Sequence, residues 1–251
     1  MNFEKLFSLQ GRRALVTGSS RGIGRAAAML LGAAGASVVF HASRKSEKLR
    51  QTVEEAKQKG IDCGMAAADL SDSAQVKSLI EQIGAADILV LNASTQTYMT
   101  VDTFDEAEFE REYHTNVRAS FQLIQGFLPG MKERRFGRII SLGSVNQYRP
   151  APRLCLYAGT KSAQSNLIRG IARSCGEFGI TANNIAPGVI ATDRNAAALS
   201  DPATVELLLK GIPTRRFGTA EDCAGMILLL CSEAGSYING IDMAIDGGMS
   251  L

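Results

Sequence analysis

RALVTGSSRGIGRAAAMLLGAAG, residues 13–35, decides the fold. RALVT is a short apolar run closed by a turn signal, which predicts a buried strand. The residues from 22 onward are rich in Ala and Leu and stop at Gly35, which predicts a helix with a glycine end. Between them Gly18, Gly22 and Gly24 permit a tight turn and a close backbone approach to a ligand. A helix starting there offers free N–H groups and the positive end of its dipole to a pyrophosphate. The spacing G-x-x-x-G-x-G is one residue longer in its first gap than the common dinucleotide fingerprint. SVVFH, residues 37–41, follows as a second strand, so the turn opens a βαβ series.

The alternation continues along the chain. Helices are expected over 47–60, 73–84, 105–128, 157–178 and 219–232. Strands are expected over 63–70, 86–93, 137–143, 180–188 and 240–246. Strands separated by helices pair in parallel through right-handed crossovers. Their Val, Ile and Leu runs show little alternation, as expected when both faces are covered. The pattern predicts one α/β domain over 1–251, a doubly wound Rossmann sheet of seven mostly parallel strands. The long irregular stretch 189–218, with Asp193, Arg194, Arg215 and Arg216, reads as a substrate-binding loop or lid.

Composition narrows the function classes. Lys and Arg outnumber Asp and Glu by 27 to 25, leaving a net charge of +2, too small a field to advertise nucleic acid or an anionic membrane. Five cysteines without a CxxC pair, and only two histidines, offer no zinc-type ligand set, so no metal is expected. Free thiols point to a reducing, cytoplasmic setting. MNFEKLFSLQ has no apolar signal-peptide core, and the run MILLLC is far short of a membrane span.

Two segments carry chemistry. In SLGSVNQYRPAPRLCLYAGTKSAQ, residues 141–164, Tyr157 and Lys161 fall one helical turn apart on one face, with Ser144 thirteen residues before the tyrosine. An ammonium beside a phenol favours the phenolate, which fits a tyrosine for acid–base work. After the second strand, VVFHASRKS shows no carboxylate before Glu47. An NAD site usually places an acid there for the ribose 2′-hydroxyl. Here Ser43, Arg44 and Lys45 cluster instead, and Arg21 can reach the same place, which favours a 2′-phosphate and NADP over NAD.

Taken together these segments resemble the short-chain dehydrogenase/reductase family, from about residue 9 to 249. TGSSRGIG (17–24) resembles its cofactor turn, and Ser144 with YAGTK matches its serine and YxxxK. HTNVRAS (114–120) resembles the helix with its catalytic asparagine, here Asn116. ADL (68–70) is similar to the acidic residue that meets the adenine, and PGVIAT (187–192) to the turn under the nicotinamide. One departure is LNAS (91–94), where Ser94 stands for the glycine of NNAG. The resemblance implies that Tyr157 exchanges the proton, Lys161 lowers its pKa and holds the nicotinamide ribose, Ser144 bonds the substrate oxygen, and Asn116 holds a relay water. It implies cofactor contacts from Gly18, Ser20, Arg21, Gly22, Ile23 and Gly24; from Ser43, Arg44, Asp69 and Leu70; from Asn92, Ala93 and Ser94; and from Pro187, Gly188, Ile190 and Thr192, besides Tyr157 and Lys161.

Substrate is expected to meet Gln96, Asn146, Gln147, Arg153 and Arg194, with Tyr98, Tyr148 and Arg149 nearby. Polar, arginine-bearing walls suit a hydroxylated or acidic small molecule. The resemblance is close to sugar and polyol members of the gluconate 5-dehydrogenase type and to 3-oxoacyl-carrier-protein reductases. Glu177 and Phe178 before Gly179, where those reductases often carry a basic residue, weigh against the carrier-protein substrate. A catalytically silent dinucleotide sensor is the alternative of a different class. The resemblance also implies a homotetramer built through the long helices and the last strand.

Overall fold

In the computed structural model, which describes residues 3–251, the seven strands form one parallel sheet in the order β3-β2-β1-β4-β5-β6-β7. The strands are β1 Arg13–Val16, β2 Ser37–Ala42, β3 Cys63–Ala67, β4 Ile88–Leu91, β5 Gly137–Leu142, β6 Ile180–Pro187 and β7 Asp242–Ile245. Strands β1, β4, β5 and β6 are buried almost throughout, which explains their unalternating apolar sequences. Strand order reverses between β1 and β4. At such a switch point the turns leaving two neighbouring strands diverge and open a crevice at their carboxyl ends.

Helices cover both faces. One core layer joins α2 (Gly22–Ala33), α3 (Glu47–Gln58) and α10 (Ala220–Cys231) to the sheet through Leu31, Leu49, Val53 and Ile227. The other joins α4 (Ser73–Ile83), α6 (Ala119–Glu133) and α7 (Cys155–Cys175) through Leu79, Leu123, Phe127 and Ile168. Among the described residues no helix is long and apolar enough to cross a membrane.

Three stretches differ from the sequence expectation. A five-residue helix α1, Phe3–Phe7, precedes the sheet. The helix expected over 105–128 is two, α5 (Glu106–Tyr113) and α6, joined by a π-helical turn at His114–Arg118. Stretch 189–218 contains α8 (Ala196–Leu199) and α9 (Pro202–Lys210). Within this stretch Asp201 and Pro202 start α9. Asp201 accepts from the Thr204 N–H at 3.0 Å, and proline takes the first helical position, where no N–H is needed.

Helix starts also mark the crevice. Ser46, Asp72, Asp105, Asp201 and Thr219 cap α3, α4, α5, α9 and α10 with side-chain oxygens. At α2 the N-cap is Arg21, with no side-chain cap bond. Its N-terminal N–H groups stay available to an external anion.

Candidate active site

The crevice is a cleft of about 930 Å³ running over the switch point. Its floor is built from the turns after β1 and β4. The Asn92 side-chain amide donates to the Thr17 and Gly18 carbonyls at 2.8 and 3.0 Å. The Thr17 hydroxyl accepts from the Asn92 and Ala93 N–H groups, both at 3.0 Å. This packing leaves no room for side chains on Gly18 and Gly24. A Cβ at Gly18 would lie 2.9 Å from the Ala93 Cα, and one at Gly24 would lie 2.4 Å from the Asn92 amide nitrogen. Gly18, Ser20, Arg21, Gly22 and Ile23 line the cleft, as do Asn92, Ala93 and Ser94. Gly24 does not; it permits the close packing beneath.

His41, at the end of β2, was not anticipated. Its Nδ1 accepts from the Gly18 N–H at 3.2 Å, and its Nε2 lies 3.1 Å from the Ala68 carbonyl. That pattern needs the neutral ring with the proton on Nε2. Burial lowers its pKa to about 4, so the ring stays neutral and ties the glycine turn to the strands beside it.

Ser43, Asp69 and Leu70 line the same end of the cleft, whereas Arg44 lies outside it on the surface. The cations that gather here are Arg21 and Lys48. Both pair with Asp193 from the segment after β6, Arg21 at 3.6 Å. Lys48 and Asp193 lie far apart in the chain, and nothing local to either announces the contact.

At the other end, Ser144, Tyr157 and Lys161 meet. Ser144 follows β5 and caps a short turn, its hydroxyl accepting from the Asn146 N–H at 3.2 Å. Tyr157 and Lys161 rise one turn apart on α7, with Nζ 5.5 Å from the tyrosine ring centroid. Burial pushes the Tyr157 phenol up, while Arg194 and hydrogen bonds with Ser144 and Ser94 pull it back. Burial, aided by Arg194, brings Lys161 down to about 7. The guanidinium therefore supplies a pull on the phenol that the sequence assigned to the lysine.

Asn116 lies behind this wall, fully buried in the π-helical turn. Its side-chain amide meets the Thr95 backbone at both ends, at 2.9 Å each, and donates to the Thr160 hydroxyl at 3.0 Å. The Asn116 side chain thus joins the loop after β4 to α7.

Pro187, Gly188, Ile190 and Thr192 line the cleft after β6, and Gln96, Asn146 and Arg194 line its mouth together with Arg149. Two expected substrate residues do not reach it. Gln147 turns inward, its amide donating to both Asp242 carboxylate oxygens at 2.9 Å while its carbonyl accepts from the Ser144 N–H at 3.2 Å. Arg153 lies outside, its guanidinium 5.9 Å from the Tyr98 ring centroid. Ser94 does make use of its hydroxyl. Arg194 donates to that hydroxyl at 3.0 Å and to the Ser94 carbonyl at 2.8 Å.

A sequence profile described as enoyl-(acyl carrier protein) reductase matches residues 18–250. The chain belongs to the short-chain dehydrogenase/reductase family. Its relatives in that family include gluconate 5-dehydrogenase of Gluconobacter oxydans (strain 621H), 33% identical over 255 residues that cover 100% of this chain and 99% of the relative. The crystal structure of a 3-oxoacyl (acyl-carrier-protein) reductase from Agrobacterium tumefaciens C58 with NADP bound is 37% identical, with a TM-score of 0.94 over 99% of this chain and 98% of that one. A gluconate 5-dehydrogenase from Burkholderia cenocepacia J2315, in complex with NADP and tartrate, is 33% identical, with a TM-score of 0.93 at the same coverage. As a short-chain dehydrogenase/reductase, the protein is an oxidoreductase.

Proposed function

We propose that the protein is an NADP(H)-dependent oxidoreductase that interconverts a carbonyl and a secondary alcohol on a small polar molecule, a sugar, sugar acid or polyol. The observation that carries this reading is Tyr157, beside Ser144, in a cleft whose mouth is lined by Gln96, Asn146, Arg149 and Arg194. Guanidinium and amide groups recognise hydroxyls and carboxylates. The Burkholderia relative, whose structure holds NADP and tartrate, supports the same class.

The dinucleotide fits the residues present. The uncapped α2 start suits the pyrophosphate, Gly18 and Gly22 present backbone to the cleft, and Arg21 suits a 2′-phosphate. When bound, the nicotinamide supplies or accepts the hydride at the substrate carbon. Tyr157 then gives its proton to the carbonyl oxygen in reduction, or takes it from the alcohol in oxidation. The Ser144 hydroxyl donates to that oxygen and holds it in place as negative charge develops. Lys161 orients the cofactor ribose and stabilises the tyrosinate.

A 3-oxoacyl-carrier-protein reductase is the second reading, favoured by the Agrobacterium relative. Against it, the basic side chains beside Phe178 and Glu177 are Lys132 and Arg135, which precede β5, whereas the cleft opens past that strand's other end. The cations at the mouth itself are Arg149 and Arg194, which suit a small acidic or hydroxylated substrate. We further propose that the protein is a cytoplasmic homotetramer. Exposed Phe121 on α6 and Met243 on the edge strand β7 suit such contacts.

The test is oxidation of NADPH and NADH in parallel against keto-sugar acids, ketoses, diketones and acetoacetyl thioesters. Turnover of a keto-sugar acid with NADPH is expected. Turnover confined to the thioester would move the protein to the second reading, and cofactor binding without turnover of any carbonyl would favour a sensor. A further expectation concerns the 2′-phosphate. Arg21→Ala should raise the KM for NADPH roughly tenfold while leaving that for NADH nearly unchanged, the effect of one charge-assisted phosphate contact. Arg44→Ala, from outside the cleft, should act in the same direction more weakly. Equal effects of Arg21→Ala on both cofactors would count against the phosphate contact.

A further inference from the structure

The oxidoreductase reading gives Lys161 a role on its cleft side and leaves its other side unexplained. There the ammonium donates to the Leu142 carbonyl at 2.6 Å and to the Gln164 side-chain carbonyl at 2.9 Å. The Gln164 amide nitrogen donates to the Ser120 hydroxyl at 2.9 Å, and that hydroxyl donates to the Asn116 backbone carbonyl at 2.8 Å. Lys161, Gln164, Ser120 and Asn116 are all buried. Each donor in the series points away from the lysine, so the order is fixed from Lys161 to the π-helical turn.

We propose that Gln164, backed by Ser120, is a positioning residue that pins the Lys161 ammonium from behind, bridging it to the Asn116 segment. This rests on the reading of Lys161 as part of the active site. An ammonium has three N–H donors. Two are committed to Leu142 and Gln164, so one is left to serve the cofactor and the tyrosine.

The Gln164 carbonyl also favours the charged lysine, opposing the burial that disfavours it. The other charged or titratable groups bearing on Lys161 are Glu112 from α5, which favours its charge, Arg194 from the segment after β6, which opposes it, and Tyr157 on its own helix. Leu142, Ser120 and Asn116 present only neutral groups.

Gln164→Leu removes the acceptor at nearly constant volume. The ionisation of Lys161 can be followed by NMR in cofactor-free enzyme carrying isotope-labelled lysine, with the signal assigned through Lys161→Met. In Gln164→Leu its midpoint should fall by about one pH unit, the scale of one hydrogen bond to a charged group. The acid limb of the pH profile for alcohol oxidation should rise by a similar amount, because a neutral lysine stabilises the tyrosinate less. Gln164→Glu should restore the lysine midpoint or raise it above wild type. Ser120→Ala, which only loosens the far end of the bridge, should give a smaller shift in the direction of Gln164→Leu. A Lys161 midpoint unmoved in both Gln164→Leu and Ser120→Ala overturns the proposal, even if turnover falls. The lysine titration needs no turnover, so it decides the proposal independently of the substrate panel, whose failure would count against the oxidoreductase reading alone.

Discussion

Tyr157→Phe should bind NADP(H) with near wild-type affinity and lose turnover by roughly 10²- to 10⁴-fold, the usual worth of a positioned acid–base group. The ring is buried on α7, and phenylalanine keeps that packing, so the fold should survive. What disappears is the hydroxyl beside Ser144 and Ser94. Retention of more than roughly a tenth of wild-type turnover would sink the assignment, since it would fall below that range. The direction of the tyrosine's shift adds a pH dependence. Burial raises it, so the protonated acid predominates at neutral pH and carbonyl reduction has its proton ready. Alcohol oxidation needs the base, so its rate should climb as pH rises. Initial rates in both directions across pH would check the sign.

Asp242→Ala should lower stability by about 3 kcal/mol. In a chain of this size that is a fall in Tm of about 6–12 °C. Asp242 opens β7 and accepts from Gln147, Tyr148, Ser165, Asn184 and Arg169. Tyr148 and Arg169 are exposed and can turn to water; the Gln147, Ser165 and Asn184 donors are not, and an unpaired buried donor is costly. Burial pushes the Asp242 carboxyl up, but hydrogen bonds from Tyr148, Asn184 and Ser165 outweigh it and hold it below its ordinary value. Stability from this group is therefore present above the ordinary carboxylate range, near ~4, and is lost as pH falls through the lower folded value. Asp242→Asn, which keeps the shape and one acceptor oxygen, should lose less. The same network reaches Ser144 through Gln147, so Asp242→Ala should also lower kcat more than it raises KM. Thermal unfolding with steady-state kinetics would test both, and an unchanged Tm would mean that the network does not hold the Ser144 turn.

The order of strands and helices was legible because parallel sheets write themselves as separated apolar runs, and the glycine turn and YAGTK are local in sequence. Contacts between distant segments were not. Gln147 looks like a substrate residue because it is polar and near Ser144, but its partner is 95 residues away on β7. Arg44 is basic and correctly placed after β2, yet its side chain stands outside the cleft while Arg21 and Lys48 converge on Asp193. Gln164 and Ser120 carry no motif. Each is an ordinary polar residue on a helix until the packing of α6 against α7 brings them together. Ser94 stood out as a departure, but its partner Arg194, 100 residues further on, became visible only in three dimensions.

That arginine joins two roles. Arg194 is held to the floor of the cleft through Ser94, and it is also the cation that eases deprotonation of Tyr157. A movement of its segment that broke the Ser94 contact would carry a positive charge away from the phenol and weaken it as an acid. The strength of the acid would then be set from across the cleft, by a charge carried on a segment far from Tyr157 in the chain.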